Sequence, residues 1–339
     1  MLAYTTATLT TIVRLSLCLL LGLFMAAGQS ASAASNRQQI QHRPFPSLIP
    51  LPHGSTAKAL SSRPLATAPL QSAAAAKVYK FATADFPGAA YSGVQDGNLT
   101  TTIGDFYYDP SVVTEQEKAF ILKNGVYQTL TRPGTASLVV VGINTTGQIA
   151  GYSYDLVTNA PHAFLYFNGT FTNIDCPGAT VTGPFGINDA GQVVGGYTDA
   201  SNVSHGFVET AGVCTAIDFP GATSTEAFGI NTAGDVAGIW VDASSNIHAF
   251  VLQGGTFNSL DYPSATTTVA LGINDSGEIA GYYEDSTNFA HGYLYSGAVF
   301  NRVDVAGAKN TFLFRIKNNG NIFGQYTDAL NEAHGFKGH

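Results

Sequence analysis

From about Val78 to the end, the chain alternates short apolar stretches with polar breaks. Between Ser224 and Tyr262 the apolar stretches are Ser224 to Asn231, Asp235 to Asp242, His248 to Gln253 and Thr256 to Tyr262. In the third of these, His248, Phe250 and Leu252 share one face and small Ala249 faces the other way, which is the period of two expected of a strand. The breaks carry turn chemistry: Asn231-Thr232-Ala233-Gly234 recurs as Asn188 to Gly191 and Asn274 to Gly277, and Gln253-Gly254-Gly255 has a counterpart in Asn168-Gly169. Glycine accepts positive φ and asparagine bonds the turn backbone, so these breaks are read as tight hairpins. No segment keeps a 3.6-residue period for three turns, which excludes a helical solenoid.

This four-stranded unit repeats. A His-Ala/Gly-Phe/Tyr box falls at His162, His205, His248, His291 and His334, each 43 residues after the last, with Lys118-Ala119-Phe120 as a degenerate first copy. An Asp-Phe-Pro-Gly box falls at Asp85, Thr131 (degenerate), Asp175, Asp218, Asp261 and Asp304. Four antiparallel strands in about 43 residues is the period of a propeller blade. The expectation is an all-β, six-bladed β-propeller of four-stranded antiparallel blades over 78–339. The chain stops after a third strand, so Val78 to Phe86 should pair with His334 to Lys337, complete the last blade and remove an exposed edge.

The ordered set Gly-Ile-Asn-x-x-Gly, Gly-x-Tyr-x-Asp, His-Ala/Gly-Phe and Asp-Phe-Pro-Gly, clearest in Gly186 to Phe207, Gly229 to Phe250 and Gly272 to Tyr293, resembles the extracellular repeats of the HAF family. The likeness covers about 82–339 and implies a propeller-like fold in an exported bacterial protein, with no catalytic residues to carry over. The end units depart from the pattern: Gly93-Val94-Gln95 stands for Gly-Ile-Asn in the first, and Arg315-Ile316-Lys317 in the last.

Ahead of the repeats, residues 1–34 have Arg14 as their only charge, an apolar run from Leu15 to Ala27, and small residues through Ala33 and Ala34. That order reads as a signal peptide, cleaved near Ala33/Ala34, which places the mature chain outside the cytoplasm, secreted or periplasmic; the run is too short to span a bilayer. Residues 35–77 hold six of the 14 prolines and no acid, and read as a disordered linker. Six of the 15 basic residues precede Val78, whereas all 23 acidic ones lie at Asp85 or beyond. So acidic a repeat region repels phosphate, which sets nucleic acid aside as a partner. A monomer without a membrane span is expected.

The recurring chemistry is an Asp followed by a His across the link between second and third strands: Asp155 and His162, Asp199 and His205, Asp242 and His248, Asp285 and His291, Asp328 and His334. Each could be a base with its orienter, but no nucleophile recurs beside them, and a capping Asp with a packed His accounts for the same pattern. Oxygen ligands three apart, as in Asp199 with Asn202, suit calcium poorly because each loop offers one or two side chains. Histidines 43 residues apart lie on different blades and cannot share a zinc ion. No cofactor is expected; calcium is the one the loops leave open. Residues that break the repeat are Arg132, Glu209, Glu226, Trp240, Arg315 and Lys317, of which Glu226 and Trp240 join the His and Asp residues as candidates on an open polar face. Such a face suits a binding or scaffold module for an extracellular glycan or protein; the alternative is a propeller hydrolase or lyase acting on a polysaccharide. Cys176 and Cys214 each replace a packed aromatic. They are expected at opposite ends of outer strands in adjacent blades, beyond the roughly 7 Å Cα reach of a bridge.

Overall fold

The computed structural model describes residues 81–83, 86–88, 91–98, 100–107, 118–158 and 160–339. The expected signal peptide and linker, and Asp85, lie outside them. Blade 1 is β2 (Tyr91–Gly97), β3 (Thr101–Tyr107), β4 (Lys118–Lys123) and β5 (Val126–Leu130). Blade 2 is β6 (Thr135–Ile143), β7 (Ile149–Asp155), β8 (Pro161–Phe167) and β9 (Thr170–Asn173). Blade 3 is β10 (Val181–Ile187), β11 (Val193–Thr198), β12 (Ser204–Thr210) and β13 (Val213–Ile217). Blade 4 is β14 (Ser224–Ile230), β15 (Val236–Val241), β16 (Ile247–Gln253) and β17 (Thr256–Leu260). Blade 5 is β18 (Thr267–Ile273), β19 (Ile279–Glu284), β20 (Ala290–Ser296) and β21 (Val299–Arg302). Blade 6 is β22 (Asn310–Ile316), β23 (Ile322–Thr327), β24 (Ala333–Gly338) and, from the other end of the chain, β1 (Phe81–Thr83).

The architecture is the expected six-bladed propeller, and its closure is the expected one. β1 runs antiparallel to β24 with Phe81 opposite Gly338 and Thr83 opposite Phe336. The blades are held together by packing that the repeated residues prescribe. On β15, Gly238 faces Phe250 of β16; a Cβ there would stand 2.1 Å from the Glu226 carbonyl oxygen and 2.6 Å from the Phe250 ring. The Gly of Gly-x-Tyr-x-Asp is therefore the socket for the aromatic ring of the His-Ala-Phe box, buried at 0% exposure in blade 4.

Every inner strand carries a bulge near its end, as between Ala227 and Gly229. The bulge corrects the reading of the first unit. Val94 faces Gly104 and Asp96 faces Ile103, as Val140 faces Gly151 and Gly142 faces Ala150 in blade 2. Asp96-Gly97-Asn98, not Gly93-Val94-Gln95, thus occupies the Gly-Ile-Asn position; a turn one residue shorter hid the shift.

The second residue of each Asp-Phe-Pro-Gly box crosses to the next blade. Phe86 stacks on Phe106 of blade 1 with ring centroids 3.8 Å apart, Phe219 stacks on Trp240 of blade 4 at 4.3 Å, and Tyr262 stacks on Tyr283 of blade 5 at 3.6 Å. The same plug reaches the outer strand, Phe219 meeting Phe257 edge-on at 5.3 Å. At the junction of blades 1 and 2 the plug is Arg132, whose guanidinium lies over Phe171 at 5.3 Å. At the junction of blades 2 and 3 it is Cys176, and it is bonded to Cys214 with a Cα–Cα separation of 5.6 Å. The expectation of two unpaired cysteines is therefore wrong: the link folds down over the neighbouring blade instead of staying at its own strand end, bringing the two positions together as it brings Phe219 to Phe257.

Candidate functional site

The antiparallel meander places two kinds of connection at opposite ends of the propeller. Links between blades and between second and third strands make one face, the link face. The two tight hairpins of each blade make the other, the hairpin face.

On the link face the repeated histidines form five stations. In blade 4, Asp242 Oδ1 accepts the amides of Ser244 and Asn246 at 2.8 Å each, closing the turn before His248. Hydrogen bonds from the Asn246 side chain and backbone hold the Asp242 carboxyl down at about 2. His248 Nδ1 lies 3.0 Å from Asp261 of the Asp-Tyr-Pro-Ser box, its Nε2 3.5 Å from Asp242, and its ring stacks on Trp240 with centroids 4.4 Å apart. His205 repeats this with Asp218 at 2.9 Å, Asp199 at 3.7 Å and the Tyr197 ring at 5.0 Å. His291 repeats it with Asp304 at 3.0 Å, Asp285 at 3.3 Å and the Tyr283 ring at 5.2 Å. His162 pairs with Asp175 at 2.9 Å, while Asp155 caps its own turn through Val157 and Thr158. His334 lies 3.6 Å from Asp328 and stacks on Tyr326.

Four of the five histidines are thus held more closely by an aspartate the motif reading missed, Asp175, Asp218, Asp261 or Asp304, than by the one it anticipated. A constant spacing of 13 residues was the available signal. Arg132 fills the equivalent space in blade 2, bonding Ser153 Oγ at 3.1 Å and Asn173 Oδ1 at 2.6 Å.

Two candidates are not on the open face. Glu226 is 6% exposed: it lies on inner strand β14 opposite Ile239, and burial pushes its carboxyl up to about 8, with Oε2 lacking a hydrogen-bond partner. Trp240 is covered on both ring faces, by Phe219 and His248, and its indole N–H donates to Ser259 Oγ at 3.2 Å. It is a filling of the blade junction, with no face left for a ligand. Glu209, also buried, accepts the amide of Gly212 in the next hairpin.

On the hairpin face the turn asparagines form a relay. Asn98 Nδ2 donates to the Asn144 carbonyl at 3.0 Å, Asn144 to Asn188 at 3.2 Å, Asn188 to Asn231 at 2.9 Å, Asn231 to Asn274 at 3.3 Å and Asn274 to Lys317 at 3.5 Å. Inside this relay is an axial funnel of about 250 Å³. At its floor Arg315 extends across the axis: Nη1 donates to the carbonyls of Leu271 and Phe314, each at 2.8 Å, and Nη2 to those of Val141, at 2.9 Å, and Phe185. Beside it Lys317 Nζ meets Asp96 at 2.8 Å, and Asp96 also accepts the Ile143 amide at 2.9 Å. Four N–H bonds to backbone carbonyls saturate both Nη groups, and the lysine is spent on Asp96. These charges close the axis; they leave little for an anionic ligand.

No protein-family profile and no curated protein matches this chain. Solved structures similar to it include TolB from Acinetobacter baumannii, at 11% identity over 71% of this chain and 64% of that one, with a TM-score of 0.49. AofleA from Arthrobotrys oligospora matches at 13% identity over 76% of this chain and 90% of that one, with a TM-score of 0.46. The six-bladed fungal lectin of Aleuria aurantia matches at 11% identity over 76% of this chain and 93% of that one, with a TM-score of 0.44. None of the three reaches 25% identity or a TM-score of 0.5, so they assign nothing at the site.

Proposed function

We propose that this chain is an exported propeller of the kind its HAF-like motifs suggest, acting as a binding or scaffold module that engages a polar partner, a glycan or a protein, through the link face. The observation that carries this reading is the repetition of one partly exposed polar station around the ring. His205, His248 and His291 each sit between two aspartates and against an aromatic ring, stacked in the first two and tilted in the third, with Asx-capped turns beside them. Rigid polar groups presented at equal intervals favour a ligand with a repeating polar surface, because each station adds to binding without new ordering cost. Acid–base catalysis calls for groups whose environments differ, and these stations are alike. Glu226, the carboxylate that broke the repeat, is enclosed in the blade stack, away from any such surface.

The test is a glycan array with the purified chain, followed by calorimetry on any hit and a hydrolysis and elimination screen against the same polysaccharides. Saturable binding with more than one site per chain and no turnover is the expected result. Turnover abolished by a single link-face carboxylate substitution would replace this reading with the enzyme one.

A further inference from the structure

The turns leading to the station histidines of blades 3 to 6 are close copies, and the last differs in a way that bears on metal chemistry. In blade 6, Asp328 Oδ1 accepts the amides of Leu330 and Glu332 at 2.8 Å each, which leaves Oδ2 turned toward His334 Nε2 at 3.6 Å. A carboxylate oxygen of Glu332 joins them, and the three atoms lie within 4.8 Å of one another. At the position of Glu332 the preceding turns carry Phe289, Asn246 and Val203, none of which offers a carboxylate. Those turns have two donors; this one has three, of three residue types.

We infer that Asp328, Glu332 and His334 form a site for one divalent transition-metal ion of the zinc class. Such an ion takes histidine nitrogen and carboxylate oxygen at about 2.0–2.2 Å, which sets ligand atoms about 3.3 Å apart in a tetrahedral shell. The Asp328–His334 pair already stands near that spacing, at 3.6 Å, and the exposed Glu332 brings a carboxylate oxygen within 4.8 Å of both. In the sister blades the histidine Nδ1 is held by an aspartate at 2.9–3.0 Å and Nε2 is the nitrogen facing the turn; in blade 6 it is likewise His334 Nε2 that faces Asp328. The imidazole donor and the small ligand count select this class over calcium, which takes six to eight oxygens. Lys309 donates to Asn331 Oδ1 of the same turn at 2.9 Å. Histidines on separate blades still cannot share an ion; the donors here come from a single turn, through the spacing Asp-x3-Glu-x-His.

Titration of the purified, chelator-treated chain with Zn2+ by calorimetry, and with Co2+ by visible absorption, tests the site. One equivalent should bind, and Glu332→Gln, a surface change that leaves the turn's backbone bonds in place, should weaken it at least about tenfold. His334→Ala should do the same. Phe289→Glu should build the same trio with Asp285 and His291 and raise the stoichiometry to two. Wild-type affinity in Glu332→Gln, no saturable binding to the parent, or a stoichiometry left at one in Phe289→Glu would each overturn the proposal.

Discussion

The interior blades and the terminal blades answer the same packing problem differently. Between blades 4 and 5 the inner strands approach so closely that a Cβ on Gly229 would lie 3.0 Å from the Gly272 Cα, so the Gly-Ile-Asn glycine has no substitute there. In blades 1 and 6 that position is Asp96 and Arg315, and the asparagine of blade 6 is Lys317. The reason is collective. Bulges turn the carbonyls of Val141, Phe185, Leu271 and Phe314 toward the axis without a ladder partner, and glycines cannot supply donors to them. Arg315 of blade 6 provides donors to one such carbonyl in each of blades 2, 3, 5 and 6. A planar guanidinium with four Nη hydrogens meets four carbonyls at once. The irregular end repeat is therefore what makes the regular ones possible.

The sharpest test is Arg315→Gly, which gives blade 6 the residue of blades 2 to 5. If the terminal blades were merely drifted copies, the change would be neutral. We expect a loss of about 3–5 kcal/mol in urea unfolding, because a ring of buried carbonyls is left without donors. Next is the junction of blades 2 and 3. Replacing Cys176 and Cys214 by Ser should cost about 2–4 kcal/mol, measured by calorimetric melting. Replacing both by Phe, the pair found at the next junction, should recover part of that loss, since the plug and not the bond is the common requirement.

Glu226 offers a smaller effect with a definite pH signature. Its folded carboxyl is pushed up to about 8 by burial, above the ordinary 4.5. The folded chain then keeps a proton that the unfolded chain releases, so stability is full below about 4.5 and falls as pH rises toward 8. Glu226→Gln removes that slope; at pH 9 it should be the more stable protein by about 1–3 kcal/mol, and near pH 4 the two should melt alike. A wild-type Tm flat between pH 5 and 8 would place the carboxyl in water. Smallest in stability is His248→Ala on the half-exposed link face, under about 1 kcal/mol, yet it should weaken any glycan found on the array. Loss of stability without loss of binding would make the stations purely structural.

How much of this was legible varies with the range of the interaction. Gly238 and Phe250 are 12 residues apart within one unit, and the strand period alone pairs them. His248 and Asp261 share a unit too, and their spacing of 13 recurs in four units, but the turn chemistry of Asp242, nearer in sequence, points to the longer contact. Trp240 gave no sign of being sandwiched, since Phe219, which covers it, arrives from the preceding blade.

What the residues by themselves determined is the repeat: strand lengths through a period of two, hairpins through Asn and Gly, six units by count, and closure through an outer strand missing at one end and spare at the other. These are local preferences summed over copies, so neighbours in sequence suffice to decide them. The tertiary structure decided what lies between copies: that the box residue plugs the next blade and joins Cys176 to Cys214, that Glu226 is enclosed, and that Asp96, Arg315 and Lys317 meet across 221 residues. Ring closure sets those distances, and no spacing along the chain encodes which side chain reaches the axis once six inner strands converge on it.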